Sequence, residues 1–263
     1  MRNFLTAAFA AAMITAGGSA WAAGGAGKVS DVDFPFDGPF GTYDEDQLQR
    51  GLQVYTEICS ACHGLRQVAF RTLTDLGYTD DQIKAYIDDN GFEVFDAELD
   101  DFRPAAISDH FPEGALENAP DLSMMAKARA GFHGPYGLGL NQFWYGMGGP
   151  EYIKSLLTGY TGNDKEEAGV ILYENTAYPG GWISMGPPLY GDDVDYADGH
   201  STEIADISKD VSAFLMWTAE PKLPQRKTFG MVSVAMLTIL AILLYFTNKR
   251  LWAPIKRKDG DGR

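Results

Sequence analysis

The residues best placed to do chemistry in this chain are Cys59-Ser60-Ala61-Cys62-His63. Two thiols three positions apart stack on one face of a helix, and an imidazole follows directly. That spacing suits covalent haem attachment: each sulfur adds to one vinyl group and the histidine ligates the iron. A redox dithiol or half a zinc site shares the Cys-x-x-Cys core. Zinc would need two further ligands, yet the sequence has no second Cys-x-x-Cys and no paired histidine motif. A thioredoxin-like dithiol belongs in alternating strands and helices, a pattern missing here.

A helix must present the motif, and the preceding residues predict one from about Asp44 to His63. Leu48, Leu52, Tyr55, Cys59 and Cys62 step by four, three, four and three, so the thiols continue an apolar stripe. Thr42 and Glu45 have capping-box spacing at its start. A second short helix is expected over 79–86, capped by Thr79 and Gln82. Another should run from Leu122 to about Ala130 behind Pro120-Asp121, and another from Glu151 to Leu157. In the last soluble helix, capped by Ser201 or Thr202, Ile204, Ile207, Val211, Phe214 and Leu215 form the buried face. Pro221 and Pro224 end it. Residues 23–41 read as an extended arm, and 158–181 as loop with a turn at Pro179-Gly180-Gly181. The acidic run 88–101 reads as a surface stretch with a few aromatic contacts inward. Gly131 to Pro150, with His133, Tyr136, Phe143, Trp144 and Tyr145, suits a loop fitted around a flat apolar ligand or a plain packed loop.

The 263 residues suffice for one substantial domain with appendages. Arg2, the apolar run Phe4–Ala16 and Ala20-Trp21-Ala22 read as a cleaved export signal. From Ala23 to Lys227 the chain carries 34 acidic against 14 basic residues, a net charge of −20. Such a surface repels nucleic acid, attracts basic proteins and keeps the domain soluble. Thr228 to Asn248 has no charge over 21 residues. As a helix it would measure roughly 31 Å, close to a hydrocarbon core of about 30 Å. Six basic residues follow it, against Lys222, Arg226 and Lys227 before it, which places the tail in the cytoplasm. The expected division is 1–22 signal, 23–221 periplasmic domain, 222–227 linker, 228–248 membrane helix and 249–263 cytoplasmic tail.

A six-coordinate haem needs a group opposite His63, and a methionine sulfur raises the reduction potential relative to a second imidazole. Met124, Met125, Met147, Met185, Met216, His110, His133 and His200 are the candidates. Met124, Met125 and Met216 fall in expected helices, where packing is the simpler role. Met185 differs, because Gly186 permits close approach and Pro187-Pro188 stiffen the chain after it.

The chain resembles the cytochrome c1 family, haem subunits of the cytochrome bc1 complex, in its alphaproteobacterial form. The likeness rests on Gly51-Leu52-Gln53-Val54-Tyr55, the Cys59–His63 motif, Ala119-Pro120-Asp121-Leu122-Ser123 and Lys127-Ala128-Arg129. It continues through Glu151-Tyr152-Ile153, Ser155 to Gly159, Met185-Gly186-Pro187-Pro188-Leu189, Asp210 to Leu215, Ala219-Glu220-Pro221 and Asn248 to Trp252. The resemblance implies an all-α, class I cytochrome c-like domain with long loops and one carboxy-terminal membrane helix. It implies one haem c on Cys59 and Cys62, iron ligands His63 and Met185, Arg129 near a propionate, and Pro120, Tyr152 and Leu156 lining the pocket. An arginine fork suits a propionate carboxylate, although a cation at a helix C-terminus is favoured in any case. The implied function is electron transfer from the Rieske iron–sulfur protein to a soluble or membrane-bound cytochrome c, beside cytochrome b in the inner membrane. A membrane-tethered haem peroxidase and a haem-free thiol oxidoreductase are the competing readings. Two departures stand out. Some relatives carry an extra cysteine pair before the ligand methionine, whereas residues 160–178 have none, which leaves open what braces Met185. The segment 116–120 also has one proline where relatives often have two.

Overall fold

The computed structural model describes residues 27–129 and 146–260. The export signal, most of the 131–150 loop with His133, and the last three residues lie outside them. The first helix, α1 (Glu45–Glu57), is capped by Asp44, whose carboxylate accepts from Gln47 N, rather than by Thr42. Its α-form stops at Glu57, and a 3-10 turn over Cys59–Ala61 replaces the expected continuation to His63. A second 3-10 stretch (Phe70–Leu76) precedes α2 (Asp80–Asp89), where Thr79 and Gln82 form the expected capping box.

The architecture is mostly helical, as expected, with two small sheets added. The acidic run folds into a hairpin, β1 (Glu93–Asp96) with β2 (Asp101–Pro104). Phe92 does pack inward against Phe70, Tyr86 and Phe111, but Phe95 and Phe102 pair outward, 56% and 62% exposed. Strand alternation sends neighbouring side chains to opposite faces, so one face of this hairpin points to solvent. After α3 (Met125–Ala128), shorter than expected, and α4 (Gly149–Thr158) comes a three-stranded antiparallel sheet. Its strands are β3 (Tyr160–Glu167), β4 (Val170–Asn175) and β5 (Trp182–Ile183), where the sequence predicts a loop. The Pro179-Gly180-Gly181 turn joins the last two, with both glycines at positive φ.

The core forms where α1 crosses α5 (Ile204–Ala219). Leu48, Leu52 and Tyr55 meet Ile207, Val211, Phe214 and Trp217, all buried, each stabilising by about 1.5–3 kcal/mol. The helices touch because residue 51 is glycine: a β-carbon there would stand 2.3 Å from the Asp210 carbonyl oxygen. Arg50 Nε and Gln47 Nε2 from α1 both donate to the buried Asp210 carboxylate, at 2.9 and 3.1 Å. Neither Ser201 nor Thr202 caps α5; Glu203 stands at the cap position without a side-chain bond.

After a short break, α6 (Leu223–Gly260) begins within the stretch expected as a linker. It is long and apolar enough to cross a membrane, and its apolar stretch is exposed throughout. At its base, Glu220 pairs with Arg226 and with Lys127 of α3, the latter at 3.1 Å, while Tyr43 donates to the Glu220 carbonyl at 2.9 Å.

Candidate haem site

Local sequence determines how Cys59, Cys62 and His63 are presented. Once α1 tightens into a 3-10 turn, three residues complete one turn, so positions 59 and 62 come into register. The N–H groups of Cys62 and His63 both donate to the Cys59 carbonyl, at 3.1 and 2.9 Å. His63 is held from two sides: Tyr55 donates its hydroxyl to the His63 carbonyl at 3.0 Å, and His63 Nδ1 lies 2.8 Å from the Pro120 carbonyl oxygen. A carbonyl can only accept, so Nδ1 carries the proton, and in the neutral ring Nε2 presents the lone pair. A carbonyl bonded in this way to the far nitrogen of a metal-binding imidazole orients the ring and raises its basicity.

The Pro120 carbonyl is in place because its loop is bound to the residues following the motif. Asp121 accepts from the N–H groups of Arg66 and Ser123, both at 2.9 Å. Leu122 N–H donates to the Gly64 carbonyl at 2.9 Å and Gln67 N–H to Ser123 Oγ at 3.1 Å. Asp121 thus fastens a loop to residue 66 instead of opening a long helix. The 62–64 and 112–114 backbones touch, since a β-carbon on Gly114 would lie 2.5 Å from the Cys62 carbonyl oxygen.

Arg129, at the C-cap of α3, and Tyr152, in α4, belong to adjoining segments. A β-carbon on Gly149 would lie 1.7 Å from the Ala126 carbonyl oxygen and 3.0 Å from that of Arg129, so the start of α4 abuts the end of α3. Burial pushes the Tyr152 phenol up, and the Arg129 charge pulls it back. Leu156, half-buried in α4, has its carbonyl bonded by Asn175 Nδ2 at 2.8 Å. Met185 is braced by the sheet that replaces the expected loop: Tyr160 donates its hydroxyl to the Met185 carbonyl at 2.9 Å, and Gly186 lies against the Tyr173 ring. Met216 is fully buried in α5 and packs in the core, whereas Met124 is exposed.

The thiols are free and burial pushes the Cys59 thiol up to about 12, with Cys62 adding to the effect. A reactive dithiol needs the opposite shift, towards an accessible thiolate, so this environment argues against thiol–disulfide exchange. Among the described residues there is no group of three or more histidine, cysteine or acidic side chains that could hold a metal. The two paired sulfurs and the adjacent imidazole fit a haem; Met185 stands on a separate braced loop. Sequence reasoning does not single out Tyr55, Asp121 or Tyr160 as supports of the site; only the Asp-x-Ser spacing of 121–123, typical of an Asx turn, offers a signal.

A model of the Cytochrome C1 family matches residues 34–255. Cytochrome c1 of Cereibacter sphaeroides is 50% identical over 279 residues, covering 97% of each chain. A cytochrome c1 of Rhodobacter capsulatus is 41% identical, over 97% of this chain and 99% of its own. The mitochondrial cytochrome b-c1 complex catalytic subunit of Candida albicans is 36% identical, over 86% and 78%. With its Cys59–Cys62 pair, membership of such a family implies a covalently held haem c. The chain belongs to the cytochrome c1 family.

Proposed function

We propose that the chain is the electron-transfer subunit of a cytochrome bc1 complex, taking electrons from a Rieske iron–sulfur protein and passing them to a cytochrome c. The observation that carries this reading is the imidazole of His63, next to the thiol pair and oriented through Nδ1 by the Pro120 carbonyl at 2.8 Å. The haem would supply the one-electron carrier. Cys59 and Cys62 would hold it covalently, His63 and Met185 would ligate it, and Arg129, Pro120, Tyr152 and Leu156 would line it. The contacts to the His63 and Met185 carbonyls would hold both residues in place as the electron arrives or leaves. With the Met185 loop braced in this way, Met185 would serve as a lasting ligand, which suits electron transfer better than a peroxidase. Residues 23–221 form the periplasmic domain, and α6 anchors it in the inner membrane beside cytochrome b with the tail in the cytoplasm. The acidic surface suits a basic cytochrome c acceptor.

The test is Met185→Leu in the assembled complex. The sulfur-to-iron absorption band should vanish, the potential should fall, and cytochrome b and an iron–sulfur protein should still co-purify. An unchanged potential and band would remove Met185 as ligand, and purification without those subunits would remove the assignment to the complex.

A further inference from the structure

A groove along the outer face of α1 takes no part in this scheme. It encloses about 550 Å³, a volume typical of small-molecule sites. Asp46, Gln49, Gln53 and Glu57 line it from α1. At about 3.6 residues per turn, Glu57 lies on the same helix face as Asp46, roughly 16 Å further along the axis. The rest of the lining comes from Leu73 and Tyr78, from α2 through Ile83, Tyr86 and Asn90, and from the segment 196–198.

This lining is rich in acceptors, because its donors are already committed to the protein. Gln49 Nε2 donates to the Leu76 carbonyl at 2.6 Å, and Asn90 Nδ2 to the Tyr86 carbonyl at 2.8 Å. Gln53 Nε2 donates to Glu57 Oε1 at 2.9 Å and to the Asp195 carbonyl at 3.0 Å. Thr56 gives its only hydroxyl proton to the Leu52 carbonyl, so Tyr86 is the donor in their 2.6 Å contact. Arg50, the cation of the lining, donates to Asp198 and Asp210. With Asp198 paired in this way, Asp46 and Glu57 stand as exposed carboxylates towards the two ends. Tyr196 is 5% exposed, and its buried hydroxyl has no hydrogen-bond partner among the described residues. A buried polar group left so calls for a partner from outside the chain.

Such a site suits a ligand that is cationic, long and apolar in the middle. Among the described residues no cluster of acidic, histidine or cysteine side chains could hold a metal ion. Leu52, Leu73 and Ile83, all buried, instead offer a strip of apolar lining, and the tyrosine rings attract cations through their faces.

We propose that this groove binds a linear aliphatic polyamine, with its terminal ammonium groups on Asp46 and Glu57 and its methylenes along Leu52, Leu73 and Ile83. Spermidine has nine bonds between its terminal nitrogens and extends about 11 Å. A charge-assisted hydrogen bond of about 2.8 Å at each end gives a reach of about 17 Å, which matches the span of the groove. Putrescine, with five such bonds, falls about 5 Å short. A lysine from a partner protein carries a single ammonium and cannot hold both ends. The bound polyamine fastens α2 and the 196–198 segment to α1, whether or not the chain carries a haem.

The test is titration calorimetry of spermidine into the full-length chain in detergent, at constant ionic strength. One saturable site is expected, with putrescine clearly weaker. Asp46→Asn and Glu57→Gln should each weaken spermidine about fivefold, the loss of one exposed ion pair. Ala197→Trp fills the groove without altering its charge and should abolish binding. Asp164→Asn removes the same charge from β3, outside the lining, and should leave the affinity unchanged. No binding heat, or binding that survives Ala197→Trp, would overturn the site. Equal weakening by Asp164→Asn and Asp46→Asn, or equal affinity for spermidine and putrescine, would overturn it in favour of a general attraction to the acidic surface.

Discussion

Replacing Asp121 by alanine tests how the Pro120 carbonyl is held at His63. Its carboxylate accepts from Arg66 N–H and Ser123 N–H, both at 2.9 Å. A bond to a charged acceptor contributes about 1.5–3 kcal/mol, less where water can replace it. Arg66 is exposed, so its bond is worth about 1 kcal/mol; Ser123 is buried and loss of its N–H bond should cost about 1.5 kcal/mol. The loss should total about 2–3 kcal/mol. The bonds from Leu122 to Gly64 and from Gln67 to Ser123 survive, so the loop loosens without leaving. The carbonyl then drifts from Nδ1, the imidazole loses basicity, and an altered reduction potential should accompany the stability loss. Urea unfolding followed by Soret absorbance, with a redox titration of the same preparation, reads both. Asp121→Asn retains one acceptor oxygen and should recover about half of the loss. If Asp121→Ala matched the wild type in stability and potential, the loop would not be what orients His63.

Three further outcomes are expected. Asp210→Ala strips the buried acceptor from Arg50 and Gln47; Arg50 keeps Asp198 at 2.8 Å, so the cost should sit near the low end of a broken buried pair, about 3 kcal/mol, and a stability loss below about 1 kcal/mol from urea unfolding would contradict it. Burial raises Glu151 from its ordinary 4.5 to about 7. A raised acid favours the folded state only while protonated, so stability should fall as pH rises from 4.5 to 7, by about 3 kcal/mol at most, and Glu151→Gln should flatten that slope. Tyr160→Phe removes the hydroxyl bonded to the Met185 carbonyl; it should cost about 1 kcal/mol and weaken the sulfur-to-iron band before the rest of the spectrum, whereas simultaneous loss of all signals would mean that Tyr160 only supports the fold.

Local signals are legible wherever one residue satisfies its neighbours. The Thr79–Gln82 capping box, the buried face of α5 and the apolar run of α6 can be read because propensity, period and burial agree there. Strands β3 to β5 cannot: Tyr160-Thr161-Gly162-Asn163-Asp164-Lys165-Glu166-Glu167 is polar and carries a register shift, so it has no period-2 pattern. Its pairing comes from β4, whose Val170-Ile171-Leu172-Tyr173 run supplies the apolar partner. That sheet answers what braces Met185 without an extra cysteine pair. The thiol–imidazole motif is plain from spacing, whereas the contacts that orient it are not. Pro120 reaches His63 across 57 positions, and no local rule encodes such a separation. Glu151 reads in sequence as an ordinary acid at a helix start; only the fold shows it buried against Asp37.

Everything in the functional account depends on a haem joined covalently to the two thiols. The direct measurement is haem-linked peroxidase staining of the purified chain on a denaturing gel, with Cys59→Ala and Cys62→Ala in parallel. A stained band at the mass of the full chain, lost when both cysteines are replaced, is expected; an unstained wild-type band from cells competent in haem attachment would contradict the account.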